Sequence, residues 1–304
     1  MKTAVTGGAG FIGGAVVARL KDLGHQVVVL DLRESSNNGA ESRVINVLDL
    51  EQVKEGVKGA DIVFHLAGPV LEFCRRNPYE ASVLQTAGTL NVLEACRLEK
   101  VPKAILAGSF YVYDGLPESM IVNESSPLDI TRMELFGAVK FASEKLVETF
   151  AAKYGLEYVI YRFGSAYGWG NCSNVVKTFM EAGWRGETIE VWGKGLRRNQ
   201  YTYFDDIAAG CVLGMERRNE IYNLISPEET STAELARLVG GKFGFDVVFN
   251  EVQKEGPSLA YMSPRKAMQQ LGWVPRPLAQ GLEWMARDAQ ACASDRILRV
   301  SSPS

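Results

Sequence analysis

The sequence predicts an α/β protein, a doubly wound parallel sheet joined to a smaller C-terminal α/β substrate domain. Two observations carry this expectation. Short apolar runs at Thr3–Thr6, Gln26–Leu30, Ile62–His65, Lys103–Leu106 and Glu157–Tyr161 alternate with helical patterns near 11–23, 50–58, 84–99 and 134–154. Alternation of this kind predicts strands laid side by side with helices crossing over both faces. Several of the strands are also apolar at consecutive rather than alternate positions, as parallel strands buried on both faces require.

After Tyr167 the texture changes. Gly168-Trp169-Gly170 and Gly193-Lys194-Gly195 punctuate shorter elements, and helical patterns follow near 231–244, 264–271 and 277–291. The expected division assigns 1–168 and 201–225 to the sheet domain. Residues 169–200 and 226–304 form the smaller one, expected to cover the carboxyl ends of the strands, where ligands bind in such sheets.

Composition narrows the class. A chain of 304 residues, 46% hydrophobic and 23% charged, is long enough for a sizeable core and ordinary for a globular protein. A net charge of −3 gives no pull toward nucleic acid or an anionic membrane. The five cysteines (Cys74, Cys96, Cys172, Cys211, Cys292) are odd in number, scattered and without a Cys-x-x-Cys pair. They argue against a disulfide framework and a structural zinc site, so no metal is expected. No apolar stretch approaches the roughly 20 residues that cross a bilayer, and no signal-peptide pattern opens the chain. The expected location is the cytoplasm.

The strongest local signal is Thr6-Gly7-Gly8-Ala9-Gly10-Phe11-Ile12-Gly13, directly after a strand and at the start of a helix. Gly7 permits the tight turn, Gly10 lets backbone approach a pyrophosphate, and Gly13 allows close helix–strand packing. Phosphates then sit on free N–H groups at the positive end of the helix dipole. Asp31 ends the second strand, 18 residues past Gly13. A carboxylate there hydrogen-bonds both ribose hydroxyls and repels a 2′-phosphate, which favours NAD over NADP. Leu32 and Arg33 follow, and Arg33 softens that preference.

Further segments recur in an informative order. They are Asn46-Val47-Leu48-Asp49-Leu50, Asp61-Ile62-Val63-Phe64-His65-Leu66-Ala67-Gly68, and Gly88-Thr89-Leu90-Asn91-Val92-Leu93-Glu94-Ala95. Tyr161-Arg162-Phe163-Gly164-Ser165-Ala166-Tyr167-Gly168, Phe204-Asp205-Asp206-Ile207 and Leu271-Gly272-Trp273-Val274-Pro275 come later. With the glycine motif, they make the chain resemble the extended short-chain dehydrogenase/reductases, in the NAD-dependent epimerase/dehydratase branch typified by UDP-glucose 4-epimerase. The resemblance runs from Val5 to about Trp284 and implies a Rossmann domain that holds NAD. It implies cofactor contacts from Gly7, Gly10, Phe11, Ile12, Gly13, Asp31, Leu32 and Arg33. It adds Asp49 and Leu50 at the adenine, then Leu66, Ala67, Gly68, Ala107, Lys140, Phe163 and Ala166. Blander roles are expected for His65 (structural), Asn91 (bracing backbone), Asp206 (capping or orienting its helix) and Leu271-Gly272-Trp273 (packing and a helix stop).

Relatives carry Ser or Thr, Tyr and Lys in a Y-x-x-x-K arrangement. Residues four apart share one helix face, and the lysine lowers the phenol's pKa from its usual value of about 10. Here the helix reads Phe136-Gly137-Ala138-Val139-Lys140, so Lys140 is present and the phenol is not. Ser109 matches the hydroxyl position. Phe110 and Tyr111 align with the two carboxylates that nucleotide-sugar 4,6-dehydratases use for elimination, so that reaction is disfavoured. Tyr111 is left as either the displaced acid/base or a packing residue.

The phosphate-clamping arginine of such enzymes is replaced by Asn199, with Arg197 and Arg198 just before it, and Ser165 takes the place of a substrate-contacting asparagine. The other clamp position falls near Gln253-Lys254. Trp169, Trp184 and Trp192 are candidates for stacking on a base or sugar, or for core. The resemblance therefore implies NAD-dependent epimerisation, or related isomerase or lyase chemistry, on a sugar carried by a nucleotide. It implies catalytic roles at Ser109, Lys140, Tyr111 and Phe136, and substrate contacts from Ser109, Phe110, Tyr111, Ser165, Arg197, Arg198 and Asn199. A homodimer through a four-helix bundle of the helices near 84–99 and 134–154 is implied too. Two alternatives stay open: a reductase or dehydrogenase of a non-nucleotide small molecule, and a catalytically silent NAD-binding protein.

Overall fold

The computed structural model describes residues 1–35, 39–170 and 174–287. Cys172, Cys292 and the part of the last expected helix beyond residue 287 lie outside the described residues; residues 278–287 are helical. The chain divides into two compact units. The first comprises Met1–Gly164, Phe204–Ile225 and Leu259–Val274. The second comprises Ser165–Tyr203, Ser226–Ser258 and the residues from Pro275 onward. Leu259–Val274 thus belongs with the sheet, whereas the sequence assigns it to the smaller domain.

In chain order the first unit begins with β1 (Lys2–Thr6), α1 (Phe11–Asp22), β2 (Gln26–Asp31), β3 (Glu41–Val44), α2 (Leu50–Val57) and β4 (Ile62–His65). It continues through α3 (Leu71–Arg76), α4 (Pro78–Leu98), β5 (Lys103–Ser109), a 3₁₀ turn (Phe110–Tyr113), β6 (Ile121–Val122), α5 (Leu135–Tyr154) and β7 (Glu157–Phe163). The second unit then supplies β8 (Ser165–Tyr167), α6 (Val175–Trp184), β9 (Ile189–Trp192), β10 (Arg198–Asn199) and β11 (Tyr201–Tyr203). The chain returns to the first unit for α7 (Phe204–Leu213) and β12 (Glu220–Leu224), then to the second for β13 (Thr230–Ser231), α8 (Thr232–Phe243) and β14 (Val247–Asn250). Finally β15 (Tyr261–Met262) and α9 (Arg265–Leu271) complete the first.

The main sheet has seven strands in the order β12-β7-β5-β4-β1-β2-β3, every neighbouring pair parallel. Five of them are the strands expected from sequence. The two missed strands are the edges, β3 and β12. Glu41-Ser42-Arg43-Val44 contains no fully buried residue, so its sequence lacks the apolar run that marks the interior strands. Order reverses at β1, which pairs with β2 on one side and β4 on the other. That switch point opens the crevice at the carboxyl ends of the strands where ligands bind in such sheets.

The core beneath one face joins Ala4, Val28, Leu30, Val63, Leu106 and Ile160 of the sheet to Val53, Val57, Val92, Leu93 and Val147 of α2, α4 and α5. Each buried Val or Leu contributes about 1.5–3 kcal/mol relative to exposure. α4 starts at Pro78, earlier than the sequence pattern placed it. The proline's fixed φ suits the first helical turn, where its missing N–H costs nothing. α9 stops at Gly272 (φ +66°), and Trp273 beyond it is buried with its indole donating to the Asp206 carbonyl at 2.7 Å. Both expectations for that segment hold. Asp206 itself lies in the first turn of α7, where a carboxylate faces the positive helix end.

The second unit pairs β8 with β11 and β9 with β14 in parallel, and β10 with β13 antiparallel. A Ser231–Glu234 capping box starts α8. The rings of Trp169 and Trp184 pack 4.9 Å apart, and the Trp169 indole donates to the Met285 carbonyl, while Trp192 is exposed. Among the described residues no helix is long and apolar enough to cross a membrane.

Candidate functional site

The glycine turn follows β1. Gly7 takes φ +72°, and its N–H donates to the Leu30 carbonyl at 2.8 Å. A Cβ on Gly7 would stand 2.6 Å from the Ala67 amide nitrogen, so a side chain there would push away the Leu66-Ala67-Gly68 segment after β4. A Cβ on Gly13 would meet the Gly7 carbonyl oxygen at 2.0 Å. The first turn of α1 has Gly10 at its N-cap, no side-chain cap and no acidic residue. Its N–H groups are presented to an anion, and this cradle fits a pyrophosphate.

Asp31 ends β2 with a largely buried side chain. Its carboxylate accepts from the Ala9 N–H at 3.1 Å and the Arg33 N–H at 3.2 Å, and Arg33 Nε lies 3.9 Å away. Leu32 is exposed beside it. Phe11 stacks on Phe204 with ring centroids 4.7 Å apart, and Ile12 follows in the first turn of α1. Asp49 caps α2. Both of its oxygens are taken by Gln52, at 3.1 Å from the backbone and 2.9 Å from the side chain, and Leu50 packs against the core. Asn91 donates to the Val47 carbonyl at 3.0 Å, bracing the same segment as expected.

Ser109 ends β5 and caps the 3₁₀ turn, its Oγ accepting from the Tyr111 N–H at 3.2 Å. Lys140, buried on α5, donates from Nζ to the Ala107 carbonyl at 3.0 Å. Burial pulls its pKa down to about 8, with Cys74 and Glu144 partly opposing the shift. Phe136 lies one turn earlier, in an apolar cluster with Leu71, Cys74, Ala81 and Tyr111. The Tyr111 ring meets it edge-on at 5.4 Å and tilts against Phe110 at 4.5 Å. Burial also raises the pKa of Cys74, so the thiol stays protonated at neutral pH.

Two buried polar networks support this centre. Arg162 of β7 holds Glu144 of α5 through two hydrogen bonds of 3.1 and 2.8 Å and donates to the Tyr113 hydroxyl at 2.8 Å. Tyr113 in turn donates to Asn223 at 2.9 Å. Glu144 is wholly buried and Arg162 nearly so, so the desolvation of each charge is offset by the other. The second network runs from Thr6 through His65 Nδ1 (2.8 Å), and from His65 Nε2 to Thr89 (3.2 Å). Burial, with Lys140 adding, pulls the His65 pKa down to about 3, so the ring is neutral and structural, as expected.

Gln85 joins Thr89 and Ser143 to that network, its amide nitrogen donating to Ser143 Oγ at 3.0 Å. Its amide oxygen is buried with no hydrogen-bond partner among the described residues. A Cβ on Gly68 would lie 2.7 Å from that oxygen and 3.4 Å from Lys140 Nζ. A free acceptor and a lysine donor that both border Gly68, next to the Ala67 backbone that closes on Gly7, fit the hydroxyls of a nucleotide ribose. Gln85, Cys74 and the threonine–serine network were not singled out in the sequence, because polar residues on a helix give no pattern that separates lining from packing.

At the other ends of the cofactor segment, Ala107 and Phe163 are buried in β5 and β7. In the second unit Ala166 and Ser165 pair with Thr202 and Tyr201, and the Ala166 carbonyl accepts from the Asn174 side chain. The structure separates the two neighbouring arginines. Arg198 pairs with Glu229 at 2.6 Å and lies 3.9 Å from Glu234. Arg197 is fixed by its backbone, with its N–H on Glu255 at 2.7 Å and its carbonyl accepting from the Thr232 N–H at 2.9 Å. Its guanidinium borders Gly256 and has no ion pair among the described residues. Asn199 accepts from the Gln200 N–H at 2.8 Å and bonds the Tyr201 hydroxyl, whose pKa burial pushes up to about 12. Among the described residues no cluster of His, Cys, Asp and Glu is arranged to hold a metal ion.

Comparison with known proteins places these features in context. The UDP-glucose 4-epimerase of Mycolicibacterium smegmatis is 30% identical over 316 residues, covering 93% of this chain and 96% of its own. A crystal structure of UDP-glucose 4-epimerase from Thermotoga maritima, solved with UDP-glucose, superposes with a TM-score of 0.87 at 28% identity, over 96% of this chain and all of the other. The UDP-glucose 4-epimerase of Thermus thermophilus, solved with NAD, gives 0.81 at 26% identity, over 94% and 97%. Residues 3–224 match the model of one family, and by that match the chain belongs to the NAD dependent epimerase/dehydratase family.

Proposed function

We propose that this protein modifies a nucleotide sugar by epimerisation, or by related isomerase or lyase chemistry, with NAD as a resident cofactor. The observation that carries the reading is the juxtaposition of Gln85 and Lys140 at Gly68 in the same unit as the glycine cradle, with Ser109 on the neighbouring β5. NAD, when bound, supplies a reversible hydride acceptor. Gly7, Gly10 and Gly13 hold its pyrophosphate, Asp31 its adenosine ribose, and Lys140 with Gln85 its second ribose. Ser109 orients the reacting hydroxyl. In the second unit Arg197, with no ion pair among the described residues, is available to a phosphate oxygen of the nucleotide, whereas Arg198 is committed to Glu229.

The cytoplasm suits a chain whose cysteines are odd in number and scattered. A homodimer through α4 and α5 is the proposed assembly, supported by Leu90, Leu98 and Tyr154 exposed along those helices. One observation favours a second reading. Asn199 stands where relatives have an arginine, which suits a reductase or dehydrogenase acting on a substrate without a diphosphate.

The test is mass spectrometry of the small molecules released when freshly purified protein is denatured. NAD(H) together with a nucleoside diphosphate or its sugar is the expected result. NAD(H) alone, with net NAD(H) consumption on a carbonyl substrate, would replace this reading with the second one.

A further inference from the structure

The proton of the reacting hydroxyl needs an acceptor, and Phe136 has none. Besides the buried Cys74 thiol, which stays protonated, two groups with exchangeable protons border its ring. Tyr111 meets it edge-on, and Lys140 Nζ lies 5.9 Å from its centroid. Arg75 interacts electrostatically with Tyr111, but it is held by Glu134 through hydrogen bonds of 2.7 and 3.3 Å, so its charge is already met by a carboxylate. Lys140 is placed differently. One of its three N–H donors is used on Ala107, and the unpartnered oxygen of Gln85 borders the same point at Gly68.

We propose that Lys140 is the proton-transfer group of this site, in the role a phenol at position 136 would otherwise hold, and that Gln85 positions it through its free amide oxygen. The assignment rests on the nucleotide-sugar reading above. The amine lone pair takes the hydroxyl proton directly or through one water. An N–H bond forms as the O–H bond breaks, leaving an ammonium and an alkoxide, and the same proton returns when the oxygen is reprotonated. Gln85 Oε1, unpartnered in the structure, has two lone pairs: a small approach of the side chains lets one receive the extra N–H of the ammonium form, and the other remains for the ribose hydroxyl.

The surroundings suit a lysine that gains and loses its proton near neutral pH. Facing it are His65 from β4, which is neutral, and Cys74 from α3, which stays protonated. Its own helix presents Glu144, already bound to Arg162 of β7. β5 presents the Ala107 carbonyl and α4 the Gln85 amide, both uncharged. Among the described residues no carboxylate lies within ion-pair distance of the ammonium, and burial brings its pKa to about 8. Gln85 is a positioning residue, because it acts on Lys140.

The experiment has two arms on the full chain. The first needs no substrate: ¹⁵N-lysine NMR follows each amine with pH, and Lys140→Arg identifies the signal. The expected result is one lysine titrating near pH 8, lowered by at least half a pH unit in Gln85→Leu and raised in Gln85→Glu. Titration of Lys140 above pH 10, or no response to either Gln85 variant, overturns the proposal. The second arm uses UDP-glucose and NAD as probes. The expected pH–rate profile has a limb at the NMR value. Lys140→Arg, which keeps a cation for the ribose, should lose at least 100-fold in kcat, a larger factor than its loss of NAD affinity, and Tyr111→Phe should leave the limb in place even if the rate falls. A limb that moves in Tyr111→Phe while Lys140→Arg stays active assigns the proton to Tyr111 and overturns the proposal. If the wild type turns over no nucleotide sugar, the functional reading fails, and the lysine assignment still stands or falls on the titration.

Discussion

Lys140 Nζ stands 5.9 Å from the centroid of the Phe136 ring, one turn along the same face of α5, and the ring gives it no oxygen to bond. Among the described residues its one hydrogen bond is to the Ala107 carbonyl and no carboxylate pairs with it, so the cation is buried without a counter-ion there. Burial depresses its pKa from 10.5 to about 8. In a base with a lowered folded-state pKa, the unfolded chain binds the proton more tightly. The cost is therefore fully present below pH 8 and fades as pH rises toward 10.5. Lys140→Met is expected to stabilise the protein without cofactor at pH 7 by on the order of 2–3 kcal/mol. Urea unfolding at pH 7 and pH 10 checks this; equal gains at both would show that the cation carries no such cost.

His65 sets the acid limit by the same logic. Its pKa falls from 6.5 to about 3 because the ring is buried between Thr6 and Thr89. Stability is present above pH 6.5 and is lost progressively as pH falls toward 3. Between pH 7 and 4.5 this one residue accounts for about 2–3 kcal/mol of lost stability. His65→Gln, which cannot ionise, is expected to flatten that limb in urea melts across the range.

The 2.0 Å approach between a Cβ on Gly13 and the Gly7 carbonyl leaves no room for a methyl group. Gly13→Ala should cost about 1–3 kcal/mol of stability through overpacking. The displaced turn should weaken NADH at least tenfold, read by nicotinamide fluorescence. Unchanged affinity would mean that the turn does not hold the pyrophosphate.

Asp31 already accepts two backbone N–H bonds and presents its charge at the end of β2. NADH is expected to bind at least tenfold more tightly than NADPH, and Asp31→Asn should narrow that gap. A competitive titration of the two nucleotides against wild type and variant measures it.

The two neighbouring arginines should part company on a phosphate ligand. Arg197→Ala is expected to weaken UDP by roughly 10- to 100-fold, the worth of a charge-assisted contact. Arg198→Ala, whose guanidinium is held by Glu229, should change it less than threefold. Calorimetry with UDP distinguishes them, and equal losses would count against the assignment.

The interior strands were legible because burial on both faces writes a continuous apolar run. The edges were not, since Glu41–Val44 meets solvent and carries polar residues. In the site, Gly7, Asp31, Ser109 and Lys140 could be read because each sits at a strand end or a fixed helical offset. Gln85 could not, because its meaning lies in an unmet hydrogen bond, which no spacing records. Arg197 and Arg198 are adjacent in sequence and differ only in which faces a carboxylate. That distinction is made by Glu229, 31 residues away from Arg198.

The way the chain passes back and forth between its two units bears on how the molecule is made. The edge strand β12 and the pair of β6 with β15 are supplied long after β1, and Trp273, which closes on Asp206, comes later still. The sheet-bearing unit therefore has all of its pieces only once the residues up to Val274 have left the ribosome. Neither unit is a contiguous stretch that a protease could cut out or a gene truncation could preserve. A premature stop before residue 274 removes part of the unit that holds the seven-stranded sheet, so that unit cannot take its final form until Val274 has been made.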